Sequence, residues 1–140
     1  MKKRLVAVDL DRTLAYYDKA KSRRPDGSFN TAYIGEPIPE MVEACKMLLA
    51  RGHNFRIFTA RVSPRPDGSD AVAKEVIVQW AMKVFGRYIE VTCIKSYEFD
   101  EIWDDLACSV EPNTGRFLVP SRVLGPPPAQ TELGADGRKL

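Results

Sequence analysis

The sequence predicts an α/β fold in which helices flank an open parallel sheet. Residues 4–9 form a short aliphatic run without strict alternation, which is typical of a strand buried on both faces. Similar short runs at 54–59 and 88–94 alternate with segments of helical periodicity. Such alternation favours parallel strands joined by right-handed crossovers. A chain of 140 residues is expected to build one core.

The first half of the chain is expected to contain a strand, an insert, a helix and a second strand. After the strand at 4–9, residues 14–37 are polar and turn-rich. A helix is expected to begin at Pro39, because proline is favoured in the first helical turn, and to end at Arg51-Gly52. The second strand is expected at 54–59.

The second half repeats this order. Ser69 or Asp70 is expected to cap a second helix, which Gly86 closes. The third strand is expected at 88–94. Ile102-Trp103 predicts a short fourth strand, and residues 107–110 predict a last edge strand.

The chain is expected to divide into an α/β domain over residues 1–118 and a tail over 119–140. The tail contains four of the ten prolines and few large apolar residues. Such a segment gains too little from burial to offset the entropy lost on ordering, so a mobile tail is expected.

Composition restricts the location and the partners of the chain. The net charge is only +2, which indicates neither disorder nor a general nucleic-acid surface. The three cysteines are far apart and form no Cys-x-x-Cys pair, which favours reduced thiols. No stretch approaches 18 uninterrupted apolar residues, so no membrane span is expected. A cytoplasmic protein is predicted.

Polar residues that carry chemistry follow each predicted strand. Asp9 and Asp11 end the first strand, and residues two apart in a strand point to the same side. Thr59 ends the second strand, Lys95 follows the third, and Asp104-Asp105 ends the fourth. In open parallel sheets the carboxyl ends of the strands meet at the edge where ligands bind.

Carboxylates gathered at one edge would repel one another unless a cation lay among them. Oxygen-rich ligation without sulfur suits Mg²⁺, which often also binds a substrate phosphate. Lys95 and the hydroxyl of Thr59 supply a positive charge and a donor for phosphoryl oxygens. The pattern therefore predicts a Mg²⁺ site that handles a phosphoryl group.

At these positions the sequence resembles the haloacid dehalogenase-like (HAD) superfamily of phosphohydrolases, and most of all its small, minimal-cap phage and bacterial members. The resemblance covers most of residues 4–118. Its motifs are Asp9-x-Asp11-x-Thr13, Phe58-Thr59-Ala60-Arg61, Lys95, Asp104-Asp105 and the turn Asn113-Thr114-Gly115. The resemblance implies a Rossmann-like sheet, with the insert 14–37 as a short flap in place of a lid domain.

The resemblance also implies a mechanism and a role for each residue. Asp9 would attack phosphorus and form an aspartyl-phosphate, and Asp11 would act as general acid and then general base. Thr59 and Lys95 would hold the phosphoryl oxygens. The Mg²⁺ ligands would be Asp9, the backbone carbonyl of Asp11, and Asp104, with Asp105 as a further ligand or as an orienting group for metal-bound water.

Several assignments leave alternatives open. Arg12 stands where many members of the superfamily carry glycine, so it either points to solvent or touches substrate. Arg61 either grips substrate or is a solvated arginine. Lys83 and Arg87 are weaker alternatives to Lys95.

The short insert favours an open pocket. The expected substrate is a phosphorylated small molecule or a nucleotide, with a nucleic-acid end as an alternative. A second copy of the chain could instead close the pocket. A basic cluster in the insert favours an anionic substrate; its members are Lys19, Lys21, Arg23 and Arg24. Rival functions are a 3′-phosphatase of nucleic-acid ends, a phosphotransferase and a non-catalytic phosphate-binding module.

Overall fold

The computed structural model describes residues 2–125, and within them four parallel strands form one sheet. The strands are β1 (Leu5–Val8), β2 (Asn54–Phe58), β3 (Val91–Thr92) and β4 (Glu101–Trp103), in the spatial order β3-β2-β1-β4. β1 pairs with both β2 and β4, and β2 pairs with β3. The expectation of an open parallel α/β sheet is confirmed.

The central position of β1 explains its composition. Val6, Ala7 and Val8 are at most 2% exposed. A strand with neighbours on both sides and covered faces needs apolar residues at successive positions, not at alternate ones. This strand therefore anchors the core, and the polar residues that follow it leave the core at the carboxyl end of the sheet.

The two helices lie close to the predicted positions. α1 (Pro39–Ala50) begins at Pro39, as expected, and ends just before Arg51-Gly52. α2 (Ser69–Phe85) ends at Gly86, also as expected. Val42 and Cys45 of α1 are buried, and so are Ile77 and Ala81 of α2, which belong to the same core cluster.

The predicted capping of α2 by Ser69 or Asp70 is wrong. The capping position is Gly68, with φ of 74°, and it forms no side-chain cap. Ser69 and Asp70 already lie inside the first turn, so neither stands where a capping side chain must stand. The carboxylate of Asp67 accepts from the Ser69 N–H at 3.0 Å, and that of Asp70 accepts from the Arg65 N–H at 3.1 Å.

The outer strands are shorter than expected or absent. β3 covers only Val91–Thr92, because it has a single neighbour and pairs only with the end of β2. Residues 107–110 form no strand, so that expectation is wrong. Val110 instead pairs with Phe117 in an isolated antiparallel bridge. Asn113 and Gly115 lie between these two residues, and each has a positive φ, which turns the chain back on itself.

The insert at 14–37 begins and ends at the same place. The N–H of Tyr16 donates to the carbonyl of Glu36 at 2.9 Å, and the N–H of Ile38 donates to that of Leu14 at 2.8 Å. Leu14 and Ala15 are fully buried. The base of the insert is therefore part of the core, and only the remainder projects from it.

The chain divides into two compact units, Met1–Asp105 and Leu106–Leu140. The first contains the whole sheet, and its end falls earlier than the boundary at residue 118 that the sequence suggests. Most of the predicted tail, residues 126–140, lies outside the described residues. Within residues 2–125 no helix combines the length and the apolar character that a membrane crossing requires.

Candidate functional site

Three carboxylates gather at the carboxyl end of the sheet, from Asp9, Asp104 and Asp105. One oxygen from each lies within 4.8 Å of the others. The strand register brings them together, because Val8 of β1 is opposite Trp103 of β4. The pairing continues one residue further, where the N–H of Asp9 donates to the carbonyl of Trp103 at 2.9 Å. The residues that follow the two strands are therefore neighbours.

The hydroxyl of Thr13 links this carboxylate cluster (Asp9, Asp104 and Asp105). Its oxygen lies 3.3 Å from a carboxylate oxygen of Asp9 and 3.3 Å from one of Asp105, and it accepts from the Asp105 N–H at 3.1 Å. Thr13 was expected only as part of the motif Asp9-x-Asp11-x-Thr13, with no role of its own. The signal was its position four residues after Asp9, since the tight turn after Leu10 returns it to that residue.

The cluster perturbs Asp9 strongly. The pKa of Asp9 is raised from 3.8 to about 7, first by burial and then by the hydrogen bond with Asp105 and the charges of Asp104 and Asp105, against a smaller opposing effect of Thr13. A nearby cation would remove this penalty. The donor set consists of oxygen alone and fits a hard divalent cation.

Arg12 lies at the rim of the cluster. Its φ of 70° is in the left-handed region that favours glycine, which explains why glycine suits this position. The Arg12 Nε lies 3.0 Å from a carboxylate oxygen of Asp105, and just over half of the side chain is exposed. Arg12 therefore balances part of the negative charge and still reaches solvent.

Asp11 faces a different partner. Its two carboxylate oxygens accept from Nε and Nη2 of Arg61, each at 2.7 Å. This is the bidentate arrangement in which a guanidinium binds a carboxylate most firmly. In the described part of the chain the Asp11 side chain does not join the carboxylate cluster, so Asp9 and Asp11 diverge despite their spacing.

Arg61 is buried, with 5% of its side chain exposed, and the alternative of a solvated arginine is wrong. Its Nη1 donates to the backbone carbonyl of Tyr33, and its guanidinium lies 5.0 Å from the ring centroid of Phe29. Both residues belong to the insert. Arg61 therefore connects the insert to Asp11, a role that no local pattern around residue 61 signals.

Thr59 lies where the sequence predicts, directly after β2. It is 4% exposed, and its N–H donates to the carbonyl of Thr92 at 2.9 Å. Its side-chain oxygen accepts from the Arg61 N–H at 3.2 Å and caps the short 3-10 helix Ala60–Val62. Among the described residues its hydroxyl hydrogen has no acceptor, so the group keeps a donor at this edge of the sheet.

Lys95 lies three residues beyond β3 and is exposed. Its ammonium group forms no ion pair within the described part of the chain. The structure therefore places Lys95 on the expected edge but does not bring it onto the carboxylate cluster. Arg87, one of the alternatives, lines a cavity at the opposite edge with Leu5 and Asn54, the first residues of β1 and β2. Lys83 lies in the last turn of α2.

A cavity of about 350 Å³ opens beside Asp11. Larger cavities, of about 470 and 580 Å³, lie around the start of β1, at the opposite end of the strand from Asp9 and Asp11. Ligands of open parallel sheets bind at the carboxyl ends of the strands, so the cavity beside Asp11 is the candidate substrate pocket. The four basic residues of the insert, at positions 19, 21, 23 and 24, are exposed.

No family model, no curated protein and no solved structure matches this chain.

Proposed function

We propose that this chain is a Mg²⁺-dependent phosphomonoester hydrolase of the HAD type, with a Rossmann-like sheet and a minimal cap. The observation that carries the proposal is the convergence of Asp9, Asp104 and Asp105 at the carboxyl end of β1 and β4. Such a cluster is costly without a cation, and the pKa of Asp9 near 7 reflects that cost. Asp11 and Thr59 border the same edge with the groups that phosphoryl transfer needs.

Asp9 is the nucleophile of the proposed reaction. Its carboxylate attacks phosphorus, the bond to the leaving oxygen breaks, and an aspartyl-phosphate forms. Thr59 donates a hydrogen bond to a phosphoryl oxygen, and Lys95 supplies positive charge from its exposed position. A divalent cation held by the carboxylate cluster and the backbone carbonyl of Asp11 would offset the negative charge of the phosphoryl group.

Asp11 carries the proton in both halves of the reaction. It gives a proton to the leaving oxygen, then takes one from the water that hydrolyses the aspartyl-phosphate. Both of its oxygens are engaged by Arg61. One of these two bonds must therefore open before Asp11 can hold the proton, and Arg61 positions the acid through the bond that remains.

The test is phosphate release from a broad phosphomonoester panel, with Mg²⁺ or with EDTA. Mg²⁺-dependent release by the parent is expected, and Asp9→Asn should release phosphate about 10³-fold more slowly or worse. Asp26→Asn is the matched control, because Asp26 is an exposed aspartate whose carboxylate accepts from the N–H and the hydroxyl of its neighbour Ser28. Asp9→Asn turnover at the parental rate would refute the proposal. Ligand-induced stabilisation without turnover would favour a non-catalytic module.

The basic insert favours a second candidate, a 3′-phosphatase of nucleic-acid ends. Four exposed cations within six residues would attract a polyanion. This candidate predicts faster turnover of 3′-phosphorylated oligonucleotides than of free nucleotides, with an affinity that falls steeply as salt rises. Affinity that is insensitive to salt would exclude it.

A further inference from the structure

The cavity beside Asp11 combines positive charge with aromatic walls. Its lining includes Asp11, Arg12, Tyr17, Phe29, Arg61 and Arg65. Three arginines face one aspartate, so the lining carries net positive charge. Such a lining suits a ligand that is both anionic and aromatic.

Two of the three arginines already have carboxylate partners. Arg12 is paired with Asp105 at 3.0 Å, and Arg61 binds both oxygens of Asp11. Arg65 differs, because its guanidinium forms no ion pair with any described residue. Its charge contributes to lowering the pKa of Asp67, but the hydrogen bonds of Ser69 are the main cause of that effect. Arg65 is half-buried at the cavity, and its guanidinium N–H groups have no hydrogen-bond acceptor among the described residues.

The two aromatic residues of the lining, Phe29 and Tyr17, also differ in whether their rings are free to contact a ligand. The guanidinium of Arg61 lies 5.0 Å from the Phe29 ring centroid, and that of Arg23 lies 5.9 Å from it, so cations already cover this ring. The Tyr17 hydroxyl is within 3.0 Å of Ser22 Oγ, and Ser22 is fully buried. This bond holds the Tyr17 ring at the cavity, where its face can stack on a base.

We propose that this cavity is the leaving-group pocket, and that it binds a nucleoside carrying a second phosphate, with Arg65 on that phosphate and Tyr17 against the base. The inference rests on the proposed function, in which Asp11 protonates the leaving oxygen. The group that departs with that oxygen must lie beside Asp11, and this is the cavity that Asp11 lines. Its volume of about 350 Å³ is near the lower end for small-molecule pockets and suits one nucleoside.

A nucleoside bisphosphate and a phosphorylated oligonucleotide end share this chemistry. In both, the leaving nucleoside carries a phosphate other than the one removed. Arg65 recognises the second phosphate in either case, and separate arms of the experiment distinguish the two sources.

The test compares kcat/KM for adenosine 3′,5′-bisphosphate with that for the 3′- and 5′-monophosphates, in the parent and in Arg65→Gln. A charge-assisted hydrogen bond to phosphate corresponds to about 10- to 100-fold. Arg65→Gln is expected to lose that factor, mostly in KM, on the bisphosphate and less than about threefold on the monophosphates. The matched control is Arg51→Gln, an exposed arginine after α1. Hexanucleotides with a single 3′- or 5′-phosphate form the second arm, and the source that shows the larger Arg65 dependence is the substrate.

Equal losses on bisphosphate and monophosphates, or no loss on either substrate type, would overturn the assignment. If no compound is hydrolysed at all, the proposed function fails, and calorimetry then tests the pocket by itself. The parent should bind the bisphosphate at least tenfold more tightly than either monophosphate, and Arg65→Gln should remove that preference. A preference that survives in Arg65→Gln, or that the parent lacks, would refute the pocket independently of catalysis.

Discussion

Replacing Asp9 by asparagine is expected to stabilise the metal-free protein although it removes the proposed nucleophile. Burial and the neighbouring carboxylates of Asp105 and Asp104 together raise the pKa of Asp9 from 3.8 to about 7. The folded protein therefore keeps a proton on Asp9 at pH values where the unfolded chain has released it. The free energy of unfolding must fall as pH rises from about 4 to about 7. Asparagine carries no charge, and its oxygen still accepts from the Thr13 hydroxyl.

The magnitude follows from the pKa of Asp9. A difference of about three pH units corresponds to about 4 kcal/mol at pH 8 if it is fully expressed. Asp9 is only half-buried, so solvent screening reduces this figure, and we expect Asp9→Asn to raise the free energy of unfolding by about 1 to 2 kcal/mol at pH 8. At pH 4.5 only a small part of the gain should remain.

Urea unfolding in EDTA, followed by tryptophan fluorescence at both pH values, measures the effect. Asp26→Asn is again the control, because hydrogen bonds from Ser28 lower the pKa of Asp26, and removal of its charge should bring no gain at pH 8. If Asp9→Asn is no more stable than the parent at pH 8, or if the gain is equal at the two pH values, the charge of Asp9 does not destabilise the metal-free protein.

Three further predictions concern the metal, Thr13 and Arg61. Mg²⁺ should raise the Tm of the parent more at pH 8 than at pH 5.5, because protons compete with the metal ion for Asp9. Asp104→Asn should lose most of that Tm shift. Equal shifts in the parent and in Asp104→Asn would contradict the metal site. Thr13→Val should lower the free energy of unfolding by about 1 to 3 kcal/mol in urea titrations, because the partly buried N–H of Asp105 loses its acceptor. A Thr13→Ser variant that is equally unstable would argue against this cause. Arg61→Ala should lower the free energy of unfolding by about 2 to 3 kcal/mol in the same titrations, because it leaves Asp11 without its partner. The same change should speed protease cleavage within residues 14–37. Cleavage at the parental rate would show that Arg61 does not hold the insert.

The sequence predicted the sheet and the helices well where burial acts on consecutive residues. The run from Leu5 to Val8 indicates a covered central strand, and Pro39 and Gly86 mark helix ends through their own backbone chemistry. Predictions failed at the periphery. Residues 107–110 are apolar enough to suggest a strand, but positive φ at Asn113 and Gly115 closes a local turn before a neighbouring strand can pair with them.

Some features of the candidate site could likewise be predicted from the sequence, and others could not. Because the carboxyl ends of parallel strands meet at one edge, the order of residues along the chain was enough to predict that Asp9 and Asp104 would be neighbours. The directions of side chains after a strand ends depend on partners distant in sequence. Asp11 turns to Arg61, fifty residues away, and the spacing of Asp9 and Asp11 cannot anticipate that partner.

Local composition and the periodicity of the backbone were enough to predict which strands are buried and which polar residues follow them. Three features emerge only in the folded chain: Thr13 joins the carboxylates, Arg61 ties the insert to Asp11, and Arg65 lines a cavity without an ion-pair partner among residues 2–125. Hydrogen bonds and ion pairs between distant residues depend on distances of a few ångströms, and those distances exist only after the chain has folded.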